Sequence, residues 1–307
     1  MRIRATVAAV SGALALSALA VPAANAADSA PSKADLFQAA HRAAAGKSAF
    51  TGSTAAAAPY ALDLKFSGVS VNNGKPIVVG TTGKVSASVS FKVTHAADID
   101  LDAEDIELDV LLYRGTLSNP VNILWGDNWP TCTNVSATVA SCKNTIDIRP
   151  ADGDLLNSDA TSFKALGYAY DWNDQDPYSE DSVDWSKVGY TEADALTLAK
   201  LQRASKLTVN AAPEPVRKGA TITVTGKLSR ANWEDNQYHG YSTQPVKLQF
   251  RKKGSSTYTT VKTIKTSTTG ALKTTVKATV DGYFRYSFAG TSTTPAVTTA
   301  GDFVDVR

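Results

Sequence analysis

Oxygen-bearing side chains crowd into three short stretches of this chain, and their spacing suits the binding of a hard cation. The first stretch runs through Asp98, Asp100, Asp102, Glu104, Asp105, Glu107 and Asp109. The second is Asp152-Gly153-Asp154 with Asn157 and Asp159; the third holds Asp171, Asn173, Asp174, Asp176, Glu180, Asp181 and Asp184. Calcium takes about six to eight oxygens from carboxylates and carbonyls gathered on a turn. Asp152, Asp154, Asn157, Asp159, Asp171, Asn173, Asp174 and Asp176 are therefore candidate ligands, with Ca2+ the one cofactor suggested. The third stretch opens Asp171-x-Asn173 like an EF-hand loop. It then has Asp176 where that loop needs Gly and Ser182 where it needs Glu, which removes the EF-hand reading. The plain alternative is a solvated acidic face that keeps an exported chain in solution.

Aromatic rings lie beside these acids: Trp125, Trp129, Tyr168, Tyr170, Trp172, Tyr178 and Trp185. Flat rings next to carboxylates and amides suit sugar recognition, although a sandwich also buries large rings in its core. Strand-like surroundings assign Trp125 and Tyr170 to the core; polar surroundings assign Trp129 and Trp172 to the surface. A second group, Trp233, Tyr238, His239 and Tyr241, falls in the polar segment Asn232–Thr243, read as a long loop between strands. Loops at sandwich ends carry recognition when anything does, and the alternative is a packed loop whose Trp covers the sandwich end.

Catalysis finds little support. The three histidines are His41, His95 and His239, none in a HExxH pattern, and there is no GxSxG elbow. Paired carboxylates are too abundant for any pair to be informative. The chain is read as non-enzymatic.

The elements that must position these groups are strands. Val85, Ala87, Val89, Phe91 and Val93 alternate with Ser86, Ser88, Ser90, Lys92 and Thr94, the period of a half-buried strand. Ile106, Leu108, Val110 and Leu112 repeat it, and turn signals such as Asn73-Gly74 and Asp152-Gly153 lie between. After residue 204 the pattern is cleaner, with about seven strand cores in some 100 residues, the size of an immunoglobulin-type sandwich. At the junction, Leu196 and Leu198 begin a strand that runs on toward Leu207-Val209, or Thr191–Ala204 forms a helix; the strand is favoured. The predicted fold class is all-β, two tandem immunoglobulin-like sandwiches over 58–204 and 205–307.

A weak repeat links the two. Gly83 precedes the long strand of the first block and Gly219 that of the second; Leu112-Tyr113-Arg114-Gly115 echoes Gln249-Phe250-Arg251 at nearly the same offset. Charge separates them. Residues 58–199 carry 21 acids and 9 bases, a balance of −12, whereas residues 200–307 carry 6 acids and 17 bases, a balance of +11. Such asymmetry reports on partners, or on docking of one block against the other.

Arg2 and Arg4, the apolar stretch Ala5–Val21 and Ala24-Asn25-Ala26 make residues 1–26 a secretory signal. The apolar run is shorter than the roughly 20 residues a membrane span needs, so no integral membrane segment is expected in the mature chain. Residues 27–57, rich in Ala and Ser, read as a flexible segment with a possible helical turn begun by Ser32 and Asp35. In an oxidising compartment Cys132 and Cys142, the two cysteines, are expected to pair and to contribute about 2.5–3 kcal/mol.

The second block also carries Leu207-Thr208-Val209-Asn210, Pro213-Glu214-Pro215-Val216, Val246-Lys247-Leu248-Gln249-Phe250-Arg251, Tyr258 and Asp281-Gly282-Tyr283-Phe284-Arg285-Tyr286. In these residues 205–307 resemble the immunoglobulin-like C-terminal modules of secreted proteins from high-GC Gram-positive bacteria. The resemblance implies a sandwich fold and extracellular location, and no activity. A calcium-binding label on some similar proteins implies a test for that ion. The expected partners are a cell-wall polymer, a polysaccharide or an extracellular protein. Nucleic acid is not expected, since the chain offers no recognition helix or stacking platform.

Overall fold

The computed structural model describes residues 31–46, 58–178 and 183–307. Residues 1–26, read as a secretory signal, much of the Ala/Ser-rich segment, and Glu180 and Asp181 lie outside the described residues. One helix, α1 (Lys33–Ala44), precedes ten strands of a first module: β1 (Tyr60–Ala61), β2 (Leu64–Val71), β3 (Ile77–Val79), β4 (Val85–His95), β5 (Ile106–Thr116), β6 (Asn119–Leu124), β7 (Thr131–Ser136), β8 (Val139–Ile148), β9 (Ser162–Asp171) and β10 (Gly189–Arg203). Ten more build the second: β11 (Ser205–Leu207), β12 (Asn210–Ala212), β13 (Thr221–Asn232), β14 (Gln237–Gly240), β15 (Pro245–Lys252), β16 (Thr259–Lys265), β17 (Ala271–Lys277), β18 (Gly282–Phe288), β19 (Val297–Thr298) and β20 (Asp302–Val304). The chain is all-β, two immunoglobulin-like sandwiches in tandem.

Strand β4 shows why the alternation folds this way. Ala87, Val89, Phe91 and Val93 are buried while the intervening Ser, Lys and Thr are exposed. It pairs with β8 along its length and with β2, in a sheet ordered β2-β4-β8-β7. The facing sheet runs β1-β10-β9-β5-β6, with β3 parallel to the far half of β10. Phe66, Phe91, Val110, Leu112, Ile146 and Phe163 fill the space between them, each burial stabilising the fold by about 1.5–3 kcal/mol.

The larger sheet is covered on its outer face as well, which the reading of residues 27–57 as a flexible segment missed. Helix α1 docks there. Ser32 and Asp35 cap its start reciprocally, and Leu36, Phe37 and Ala40 bury against Leu111, Tyr113, Leu166 and Tyr168. A 12-residue helix is marginal alone in water, so the sheet face holds it. Burial on both faces corrects the reading of β5 as a half-buried alternation through Ile106, Leu108, Val110 and Leu112: the intervening Leu111 and Tyr113 are buried too.

Both modules use one plan. β4 pairs β8 as β13 pairs β17, β5 lies between β6 and β9 as β15 lies between β16 and β18, and β3 runs parallel to β10 as Val216 bridges in parallel to Val306, just past β20. Gly83 and Gly219 stand two residues before β4 and β13 at φ +80° and +83°, conformations that side chains with a Cβ rarely adopt. The internal repeat therefore reflects matching turns into matching strands.

The junction is a strand, as favoured, but it begins at Gly189. A register shift between Ala193 and Thr197, with Ala195 at φ 53°, breaks its period and hides the first half. Ala204 alone separates β10 from β11. The segment Asn232–Thr243 is also not the long loop expected: β13 extends through Asn232 and β14 returns beside it as a hairpin. The Cys132–Cys142 disulfide joins directly opposed residues of β7 and β8. No described helix is long and apolar enough to cross a membrane.

Candidate functional site

The three acidic stretches meet different fates. In the second, Asp159 is buried and accepts hydrogen bonds from Arg114 Nε (2.7 Å), Asn122 Nδ2 (3.0 Å) and the Leu156 amide (2.8 Å). Asp154 accepts from the Arg149 amide at 2.6 Å, Asn157 bonds the second module, and Asp152 is exposed. The oxygens of Asp154, Asn157 and Asp159 are thus engaged in holding the fold. Among the described residues, no group of three or more His, Cys, Asp or Glu is placed to hold a metal ion.

The first and third stretches converge. The turn through Asp98–Glu107 and the segment after β9 border a groove of about 600 Å³, lined by Glu104, Asp105, Glu107, Trp172, Asp174, Asp176 and Tyr178. Two further depressions of about 410 Å³ flank it, one lined by Asp63, Asp98, Asp100, Asp105 and Asp171 and the other by Asp102, Glu104, Glu107 and Trp129. Among the described residues, no basic side chain lines any of the three. Carboxylates of one sign in a concave wall concentrate the field and attract cations or hydroxyl donors.

Glu107 lines both the larger groove and the depression beside Trp129. Burial pushes its carboxyl above the ordinary range, opposed by donation from Trp172 Nε1 at 3.0 Å and Tyr178 Oη at 3.2 Å. Tyr178 is pushed up to about 12, first by desolvation and then by Glu107. Asp171 accepts from Tyr60 Oη at 2.6 Å and from the Asn173 amide at 3.2 Å. Asp176 accepts from the Tyr178 amide at 2.9 Å. Asn173 and Asp174 both adopt positive φ, which shapes the turn after β9.

The rings divide differently from expectation. Trp172 is 2% exposed and stacks on Tyr170 at 4.5 Å, so its assignment to the surface is corrected: its ring joins the helix-covered outer face and only its N–H edge reaches the groove. Trp129 is partly buried beneath Lys33 Nζ, 3.7 Å from its ring centre. Tyr170 is buried, but in the helix–sheet seam and not between the sheets. The same lysine pairs with Asp109 at 3.2 Å. Asp109 is fully buried; burial pushes its carboxyl up, while Lys33 and Asn144 oppose the shift. The signal for this pair was present, an acid inside the apolar run Leu108–Tyr113, but its partner lies 76 residues away.

The hairpin β13–β14 makes a joint. Trp233 is 2% exposed and packs in the first module's core, its Nε1 donating to Gly80 O at 2.9 Å. Asn157 accepts from the Trp233 amide at 3.1 Å and donates to Asn232. Tyr238 packs on the same core beneath Lys206, whose Nζ is 3.8 Å from its ring. Arg203, pulled down to about 10 by desolvation and then by Arg230, donates to Ala231 O at 2.6 Å. Tyr241 lies under Arg230 in the second module. Of the four candidate residues here only His239 is exposed, and it pairs with Asp235 at 2.6 Å. No ion pair among the described residues crosses the joint.

Among the described residues, no serine, threonine or cysteine is hydrogen-bonded to a histidine: His41 pairs with Glu192, His95 with the Ala96 carbonyl and His239 with Asp235.

No family model and no curated protein matches the chain. Solved structures similar to it include the D0-D1 domain of intimin, at 15% identity over 78% of this chain and 97% of that one, with a TM-score of 0.25. The I67–I69 fragment of the titin I-band is 9% identical over 80% and 65% of the two chains, TM-score 0.32. The adhesin InvE of Yersinia pseudotuberculosis is 13% identical over 79% and 60%, TM-score 0.22.

Proposed function

We propose that the protein is an exported, non-enzymatic scaffold in which two immunoglobulin-like modules act as one rigid body, holding an acidic end and a basic end apart at the cell envelope. The joint built on Trp233 carries this reading. Independent modules on a flexible linker would not bury a tryptophan of one in the core of the other. The direction of the strands adds the polarity. β10 leads from Gly189, beside the groove, to Arg203 at the joint, and β18 leads from Gly282 toward the turn at Thr291, which receives Gln202 Nε2 at 3.2 Å. The acid-lined groove and the Gly282 end of the basic module therefore lie at opposite extremes. The basic module, with a balance of +11, is the one suited to an anionic envelope polymer.

Export is supported by the signal-like residues 1–26 and by the disulfide. Small-angle scattering of the mature chain tests the rigid body. Because hydrogen bonds and apolar packing make the joint, one shape is expected at low and high salt; a maximum dimension that grows with ionic strength would overturn it. Sedimentation with purified cell walls at low salt tests the location. The groove supports a second role, capture of a cation or hydroxyl-rich ligand at the acidic end, for which calorimetry with calcium and with neutral oligosaccharides is the test.

A further inference from the structure

We infer that the outward face of the β15–β18 sheet, near its Gly282 end, is a binding site for a linear phosphodiester polymer. The inference rests on the envelope reading above and names its surface and chemistry. Arg285 lies with its guanidinium carbon 3.6 Å from the Tyr258 ring centre, its Nε donating to Gln249 Oε1 at 2.8 Å. Arg251 lies 4.1 Å from the Tyr283 ring centre, its Nη1 donating to Ser255 O at 2.5 Å. Both guanidiniums are thus fixed in position before any ligand arrives.

Neither arginine is paired with a carboxylate among the described residues. The second module's ion pairs are His239–Asp235, Lys253–Asp281 and Arg307–Asp305. In the pleat Arg251 stands opposite Tyr283 and Arg285 opposite Gln249, so the two residues occupy diagonal positions on one face, their backbone positions about 7 Å apart. Both guanidiniums lie within 5.3 Å of the Tyr258 ring centre. A ladder serving only the sheet would be better made with neutral side chains, or with an acid between the arginines, since like charges on neighbouring strands repel. An anion laid across the pair removes that repulsion, and the remaining N–H groups of each fork donate to it.

The rings are already engaged, by the guanidiniums and by the Tyr283–Phe303 contact at 5.1 Å. Little ring face is left for a sugar to stack on. The surface therefore reads charge at close spacing, and a polyol phosphate chain offers that.

The probe is poly(glycerol phosphate), titrated into the mature chain at low salt. The double variant R251Q/R285Q is expected to bind at least about tenfold more weakly, and K273Q/K277Q, which removes the same charge from exposed positions on the other sheet, less than about twofold. R285K, which keeps the charge and loses the fork, is expected between them. Thermal melts confirm that each variant is folded. Equal weakening by both doubles would overturn the site while leaving the envelope reading intact, and so would polygalacturonate binding at least as tightly as the phosphate polymer. Failure of the wild-type chain to sediment with cell walls would instead remove the envelope reading itself.

Discussion

The indole N–H of Trp233, in the second module, donates to the backbone carbonyl of Gly80, in the first, at 2.9 Å. With Asn157 bonding both Asn232 and the Trp233 amide, it makes the hairpin β13–β14 a tenon seated in the neighbouring sandwich. Trp233→Ala should destabilise the chain by about 3–5 kcal/mol, the range for a buried large aromatic. Trp233→Phe keeps most of the volume and loses one hydrogen bond, so about 1 kcal/mol of the effect should come from that bond. Melting would separate into two transitions in the alanine variant, and scattering would show a broader distance distribution. One unchanged cooperative transition would refute the joint.

The fold was legible where one face of a strand meets water. β4 and the first half of β13 alternate cleanly because a serine, threonine or lysine on one side implies a core on the other, and β18 alternates with Tyr283, Arg285 and Ser287 outward. Legibility failed where that inference breaks. β5 was legible as a strand through Ile106, Leu108, Val110 and Leu112, but not its burial on both faces, which β9 shares, and β10 carries a bulge that interrupts its period. The site was harder to read for a related reason. A tryptophan among polar neighbours, as Trp172 and Trp233 are, looks exposed; whether water or another part of the protein meets the ring depends on contacts distant in sequence. The convergence of the first and third acidic stretches is likewise long-range, since Ile106 pairs with Asp171 across the sheet.

Lys33 anchors α1 by reaching a buried carboxylate. Its Nζ is 3.2 Å from Asp109 and 3.3 Å from the Asn128 carbonyl. Lys33→Ala would leave the buried Asp109 with only neutral donors, Asn144 Nδ2 and the Val110 amide, and should cost about 3 kcal/mol, as removal of one member of a buried pair does. The double change K33A/D109N should recover part of that loss. Hydrogen exchange across α1 is the sensitive readout: protection of Leu36–Ala40 should fall in K33A and return in the double variant. Unaltered protection in K33A would show that the remaining contacts, those of Leu36, Phe37 and Ala40 with the sheet and of His41 with Glu192, hold the helix without the lysine.

The disulfide closes a loop with a sequence separation of 10 between two paired strands, with Cys142 fully buried and β7 at the sheet edge. Loop-closure entropy gives about 2.5–3 kcal/mol for a loop of that length. Because β7 has one neighbour and few buried side chains, its loss should unfasten the edge before the core. C132S/C142S should lower the urea midpoint by the corresponding amount and raise exchange in Thr131–Ser136 first. A midpoint equal to that of the oxidised wild type would contradict the entropic account.

Asp127 carries the clearest acid signature. Arg149 grips both its oxygens and Lys84 Nζ stands 3.2 Å away, so its carboxyl is held at about 2 against an ordinary 3.8, chiefly by the Arg149 hydrogen bonds. A folded-state value below the unfolded one means that the native state binds fewer protons between the two. The contribution is therefore complete above about pH 5 and is lost as the pH falls through 4 toward 2. The pair is exposed, and salt should weaken it. Carboxyl-carbon NMR should give Asp127 a midpoint near 2, and R149Q should move it back toward the ordinary value. Between pH 4 and 2 the melting temperature of D127N should fall less steeply than that of the wild type. Identical acid slopes would assign the loss of stability to other carboxylates, with Asp147, buried beside Ser86 and Lys84, the first to test.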